Sequence, residues 1–346
     1  MPQSNPQGSG RTPIDAIEMH SDITIDVARR RANGETNVLE RVFLPKWREG
    51  GVKAAFVTVG GDSGPQNPLG IEFPLQNAIY LTEAMLRDIE ESNGLVKVAR
   101  EKGDLSRIAE EGAFPLVIHV EGARPFEFDL SVLRLWHHMG LRSVGLTWNY
   151  RNKFADGAME TRTKGGLTTS GLAFIKELSR LGIILDMAHL TEAGFWDVLE
   201  NYDNVPVVSH SACYSVFNHE RNITDEQMKA LAERGGVLGL AFYPTMVGEG
   251  PATMEKILRH FAHAAEIMGT EHLAIGPDFI DYAPDLIIPK LMKGGFSKNF
   301  DFPPELGSIS QLQNLVPYFE KHGFTTQDIQ NIFWNGVERV FDASVA

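Results

Sequence analysis

The sequence predicts a TIM-like (β/α)8 barrel of the α/β class, and three observations point to it. Eight short apolar runs recur along the 346 residues, each separated from the next by a helical segment. Such alternation implies parallel strands with right-handed crossovers, and eight of them close into a barrel. The chain length suits one barrel with insertions. The rival, an open doubly wound sheet, needs a glycine-rich phosphate turn after an early strand, and Gly60-Gly61-Asp62-Ser63-Gly64 is too loosely spaced for one.

In chain order, Ala16-Ile17-Glu18-Met19-His20-Ser21-Asp22 reads as the first strand. Asp26 to Arg48 is charged and mixed, as in one or two helices broken at Gly34, and Ala54 to Gly60 is the second strand. A Gly/Pro-rich loop, Gly60 to Pro74, leads into a helix from Leu75 to about Arg100, with Leu81, Met85, Leu86 and Ile89 on one face. A helix from Leu105 to Glu111 precedes strand three, Pro115 to Gly122. Leu130 to Met139 is helical and Ser143 to Trp148 is strand four; a polar loop then opens toward a helix from about Ser170 to Leu181. Ile183 to His189 is strand five, Glu192 to Glu200 a helix, and Val205 to His210 strand six. Thr224 caps a helix from Asp225 to Arg234, and Gly236 to Tyr243 is strand seven. After a helix from Met254 to Met268 comes strand eight, Leu273 to Asp278. A Pro/Gly-rich excursion, Asp281 to Pro304, precedes two closing helices, about Ile309 to His322 and Thr326 to Phe341. Residues 1–13, rich in Pro, Ser, Gly and Gln, are expected to be a disordered tail. Residues 14–346 are then a single barrel domain with loop insertions and C-terminal helices.

With 32 Lys+Arg against 45 Asp+Glu the formal charge is -13, so neither nucleic acid nor an anionic membrane is the expected partner. The single cysteine, Cys213, excludes an internal disulfide and a cysteine-based zinc cluster, leaving His and carboxylates to hold any metal. The N-terminal residues lack the regions of a signal peptide, and no apolar run approaches the ~18 residues of a membrane helix. A cytoplasmic location is expected.

All strands of a barrel end at one rim, where active sites lie. Here His20, Asp22, Glu121, His189, His210 and Asp278 stand at those ends. In an extended chain His20 and Asp22 share a face, and imidazole beside carboxylate suits Zn²⁺. Either His189 or His210 alone reads as a packed rim histidine; their joint placement favours ligation. Three histidines and three carboxylates in one cup require cations, and two divalent ions sharing one carboxylate satisfy the count. Asp186 reads as an orienting residue behind a ligand. His119 reads as a packed interior histidine, and His137, His138, His260, His263 and His272 as structural.

The set His20-x-Asp22, Glu121-Gly122, Asp186-x-x-His189, Ser209-His210-Ser211 with Arg221-Asn222, and Asp278-Phe279 resembles the membrane (renal) dipeptidases. These are binuclear zinc peptidases of the amidohydrolase kind, on barrels of the metal-dependent hydrolase type. The likeness spans about residues 16–280, with a weaker echo at Arg339-Val340-Phe341. It implies two Zn²⁺ per chain: His20, Asp22 and Glu121 on one, with catalytic Glu121 bridging to a second held by His189 and His210. It also implies that Asp278 handles the proton while a metal-bridging hydroxide cleaves a dipeptide. Arg221, helped by Tyr243, would hold the substrate carboxylate. Animal members place a His where Thr147-Trp148-Asn149 stands, so Trp148 and Asn149 are the substitute substrate-binding candidates. No Lys ends strand four, so no carbamylated lysine bridge is expected. Two alternatives stay open: hydrolysis of a non-peptide amide or specialised metabolite, and a metal-retaining binding protein without turnover. The oligomeric state is also open, a homodimer among the options.

Overall fold

The computed structural model describes residues 12–62, 73–282 and 301–345. Its strands are β1 (Ala16–Ser21), β2 (Val52–Gly61), β3 (Val96–Val98), β4 (Phe114–Glu121), β5 (Leu141–Gly145), β6 (Ile184–Asp186), β7 (Val207–Ser211), β8 (Val237–Leu240) and β9 (Leu273–Ile275). Every pairing between these strands is parallel. The order β2-β1-β9-β8-β7-β6-β5-β4 closes on itself through β2 and β4, giving the expected eight-stranded barrel with helices around it. The expected tail at residues 1–13 and the excursion from Asp281 to Pro304 fall largely outside the described residues.

β3 is a correction. The helix expected to run to about Arg100 stops at Glu91, because Asn93 and Gly94 turn the chain at φ 51° and 88°. The β-branched Val96 and Val98 then add a short strand beside Phe114 and Leu116 of β4. The strands expected to end at Trp148, His189, Tyr243 and Asp278 stop at Gly145, Asp186, Leu240 and Ile275, so His189 and Asp278 stand three residues past their strands. Some local signals do match the expectation. Thr224 closes a reciprocal capping box with Gln227, and Met254–Met268 is helical over its whole predicted length.

The inward layer is Ile17, Met19, Ala54, Phe56, Val117, Ile184, Val207, Val237 and Ala274. Val337, Val340 and Phe341 of the last helix, Gly336–Ser344, join this cluster and close the barrel at its N-terminal end. The polar site is therefore confined to the other rim.

Two strands break alternation where they carry ligand candidates. Ile17 and Met19 face inward while Glu18 faces outward, its carboxylate accepting from Trp47 Nε1 at 2.7 Å. Strict alternation sends His20 outward too. Between the pairs Glu18/Ala55 and Ser21/Val57, β1 holds one residue more than β2, and this bulge turns His20 inward. β7 repeats the device: an extra residue between Val208/Leu238 and Ser211/Leu240 lets Ser209 and His210 both face the barrel.

Candidate metal centre

The rim brings the expected side chains together. His20 Nε2 lies 3.5 Å from Asp22, 3.8 Å from Glu121 and 3.9 Å from Asp278. Glu121 Oε1 also meets His189 Nε2 at 3.0 Å and His210 Nε2 at 3.5 Å. All three imidazoles are buried, and the His20 and His210 rings are 3.9 Å apart. Two overlapping ligand groups result: His20, Glu121 and His210, and His20, Asp22 and Asp278.

Hydrogen bonds decide which nitrogens carry protons. His189 Nδ1 donates to Asn149 Oδ1 at 2.8 Å. Ser209 Oγ gives its proton to Asp186 at 2.5 Å, so it accepts from His210 Nδ1 at 2.8 Å. Burial, followed by the positive groups around them, holds both imidazoles well below the usual histidine range and therefore neutral. Each Nε2 is thus a lone pair, and the two lie 2.9 Å apart with Glu121 Oε1 beside them. Neutral ring lone pairs and a carboxylate are a divalent-cation donor set, so the residues fit the kind of metal that the resemblance implies.

The carboxylates show the same demand for positive charge. Burial alone would depress His20, but Asp22 and Glu121, then Asp278, push it up to about 10. Burial holds Glu121 well above, and Asp278 above, the usual carboxylate range. Two ligand candidates also sit in the left-handed backbone region: His189 at φ 67° and Asp278 at φ 56°. Non-glycine residues adopt it at a cost of order 1–3 kcal/mol, characteristically at functional sites. His189 is held there by its carbonyl, which accepts from Ala158 N at 2.7 Å and Thr147 Oγ1 at 3.2 Å.

The other candidates divide. Arg221 is buried, donates to the His210 carbonyl at 3.4 Å and feels both Glu121 and Asp278, so it belongs to the site rather than to a solvated surface. Tyr243 is buried in a small cluster with Ala212, Ala241 and Met246, near Asp278. Trp148 places its ring 5.8 Å from that of His189 and 6.5 Å from that of Tyr150. Asn149, expected as a substrate contact, has its oxygen on His189, which makes it an orienting group. Asp186, as expected, stands behind a ligand, accepting from Ala188 N, Ser209 N and Ser209 Oγ. His119 is a buried interior residue on Ser143 Oγ at 2.9 Å. Sequence reasoning missed Ser209, Thr147 and Asp62, which hold the ligands through hydrogen bonds. Only Ser209 carried a local signal, its place in Ser209-His210-Ser211.

Residues 11–345 match the family model described as Membrane dipeptidase (Peptidase family M19). A Klebsiella pneumoniae protein of the pqqA 5′ region is 27% identical over 262 residues, 73% of this chain and 90% of that one. The dipeptidase tcpJ of Claviceps purpurea is 27% identical over 269 residues, 77% of this chain but 59% of its own length. Among solved structures, the metallo peptidase of Rhodobacter sphaeroides, liganded with a phosphinate mimic of the dipeptide L-Ala-D-Ala, is 24% identical. It superposes with a TM-score of 0.83 over 96% of this chain and 100% of that one, a likeness of fold.

Proposed function

We propose a zinc-dependent dipeptidase, from the premise that the chain belongs to the membrane dipeptidase family of metallopeptidases. The observation that carries this is the meeting of three imidazole Nε2 atoms on one oxygen of Glu121, within 3.8 Å. In this reading His20, Asp22 and Glu121 would hold one ion, and Glu121, His189 and His210 a second. Such ions supply Lewis acidity and lower the pKa of water to near neutrality, to ~7. Asp278, its carboxyl raised by burial, accepts the proton of the attacking water and passes it to the leaving amine. Arg221 presents a buried guanidinium to the substrate carboxylate, and its fork geometry favours a substrate that ends at the second residue. Trp148 forms a flat wall beside His189 where the substrate amide is held.

A non-peptide amide carrying a nearby carboxylate is the second reading. What favours it is Asn149: with its oxygen committed to His189, it does not reproduce the His of the animal enzymes. No described helix is long and apolar enough to cross a membrane, and the proposed setting is cytoplasmic. The test measures zinc per chain by elemental analysis and hydrolysis of dipeptides of mixed stereochemistry. Two zinc ions with dipeptide turnover are expected; a fully loaded chain silent on every dipeptide points to the second reading, and a chain that takes up no metal overturns both.

A further inference from the structure

Asp62 stands directly after β2 and joins three strand ends. Its backbone N–H donates to the carbonyl of Glu121 at 2.9 Å. One carboxylate oxygen accepts from Arg124 N at 3.0 Å, three residues past Glu121, and the other from Trp148 N at 3.0 Å. Asn152 Nδ2 reaches both oxygens at 3.2 to 3.3 Å and also donates to the Leu146 carbonyl at 2.6 Å. Gly122 leaves room for this carboxylate: a Cβ there would lie 2.4 Å from Asp62 Cγ, and its φ of 94° is a glycine conformation.

Two short paths run from Asp62 to the metal centre. One reaches Glu121 through its own peptide group. The other reaches Trp148, whose neighbour Asn149 fixes the ring of His189. Their ends, Glu121 Oε1 and His189 Nε2, are 3.0 Å apart. We propose that Asp62 is a positioning residue for the metal centre, holding the β4 and β5 loops in the arrangement that lets Glu121 and His189 share a cation. The proposal rests on the metallopeptidase reading above. The chemistry requires a carboxylate: every group facing it is an N–H donor, so an amide in its place puts N–H against N–H.

The test compares wild type with D62N, D62A and N152A, the last leaving Asp62 intact while removing its side-chain donor. Zn²⁺ affinity is measured by competition with a chromophoric chelator, and amide hydrogen exchange is followed in the metal-free chain. D62N is expected to bind Zn²⁺ about 10–100-fold more weakly, the range for losing an orienting partner behind a ligand. Exchange should quicken at Arg124, Trp148 and residues 188–190 while β8 and β9 keep their protection, and N152A should show a smaller change of the same sign. A purely structural staple would lower the melting temperature without moving Zn²⁺ affinity or reaching residues 188–190, and that result overturns the proposal. Wild type that takes up no Zn²⁺ overturns the metallopeptidase reading instead; the metal-free exchange at residues 188–190 then still decides whether Asp62 positions His189.

Discussion

Asp278 holds a left-handed backbone at φ 56° and stands 3.9 Å from His20, in the group it forms with His20 and Asp22 beside the one around Glu121. In the proposed reading this carboxyl handles the proton of the reaction rather than holding an ion. D278N is therefore expected to lower kcat by about 10²–10⁴ while zinc content stays at the wild-type value, checked by steady-state kinetics beside elemental analysis. Activity within twofold of wild type would remove Asp278 from the reaction. Arg221 makes a different prediction, because in the proposed reading its charge meets the substrate and not the reacting bond. R221M should raise KM for dipeptides with a free carboxylate about 10–100-fold and leave their C-terminal amides unaffected, the loss of one charge-assisted pair. The residues that meet at the rim were legible because ionisable side chains stood where apolar runs ended. Arg221 was less so: it lies in the charged run from His219 to Arg221, and only the folded loop buries it. Asn149 was singled out as a substrate-binding candidate by the resemblance but not as a partner of His189, since 40 residues separate them in the chain.

Between residue and barrel lie the strands and helices, where period-two alternation located β1 and β7 yet gave no sign of their bulges. An extra residue in one strand shows only against its neighbour, and a single strand's pattern does not record it. Glycines opposite the β7 bulge are its nearest trace. A Cβ at Gly239 would lie 1.9 Å from the Ser209 carbonyl oxygen, and one at Gly276 2.0 Å from it. G239A should push that backbone away, turn His210 out of register and cost about 3 kcal/mol, with zinc binding weakened in the same variant. Urea unfolding and zinc titration check both halves. Among the helices, Arg31 of Thr24–Ala32 clamps Asp88 and Glu91 of Pro74–Glu91 at 2.7 Å each. That guanidinium holds Glu91 down at about 2, below the ordinary glutamate value of 4.5. A carboxylate depressed on folding stabilises above its unfolded pKa and loses this as pH falls through its folded one. The Glu91 contribution should be complete above pH ~4.5 and fade toward pH ~2. E91Q should flatten stability against pH in that window, measured by denaturant unfolding at pH 7, 4 and 3.

At the scale of the whole molecule, the barrel is closed at its N-terminal end by Val337, Val340 and Phe341, while carboxylates gather at the other end. The closed end contributes stability through burial, and the open end works against it by crowding like charges. In the proposed reading, bound cations would reverse that sign. A ligand that binds only the native state stabilises by RT ln(1 + [L]/Kd), about 4 kcal/mol at a thousandfold excess over Kd. Chelation should therefore lower the melting temperature by several degrees, and added Zn²⁺ should restore it. Protons compete for the same site, since the carboxylates push His20 up to about 10 and ligands must shed protons to bind metal. The zinc-dependent rise should accordingly shrink as pH falls. E121Q tests whether this coupling runs through the bridge: with no charge at the meeting point of His20, His189 and His210, the rise should be lost. Y243F leaves every ligand in place and should keep it. Scanning calorimetry with and without Zn²⁺ separates these outcomes, and an E121Q chain that retains the full rise would place the cations elsewhere than at Glu121.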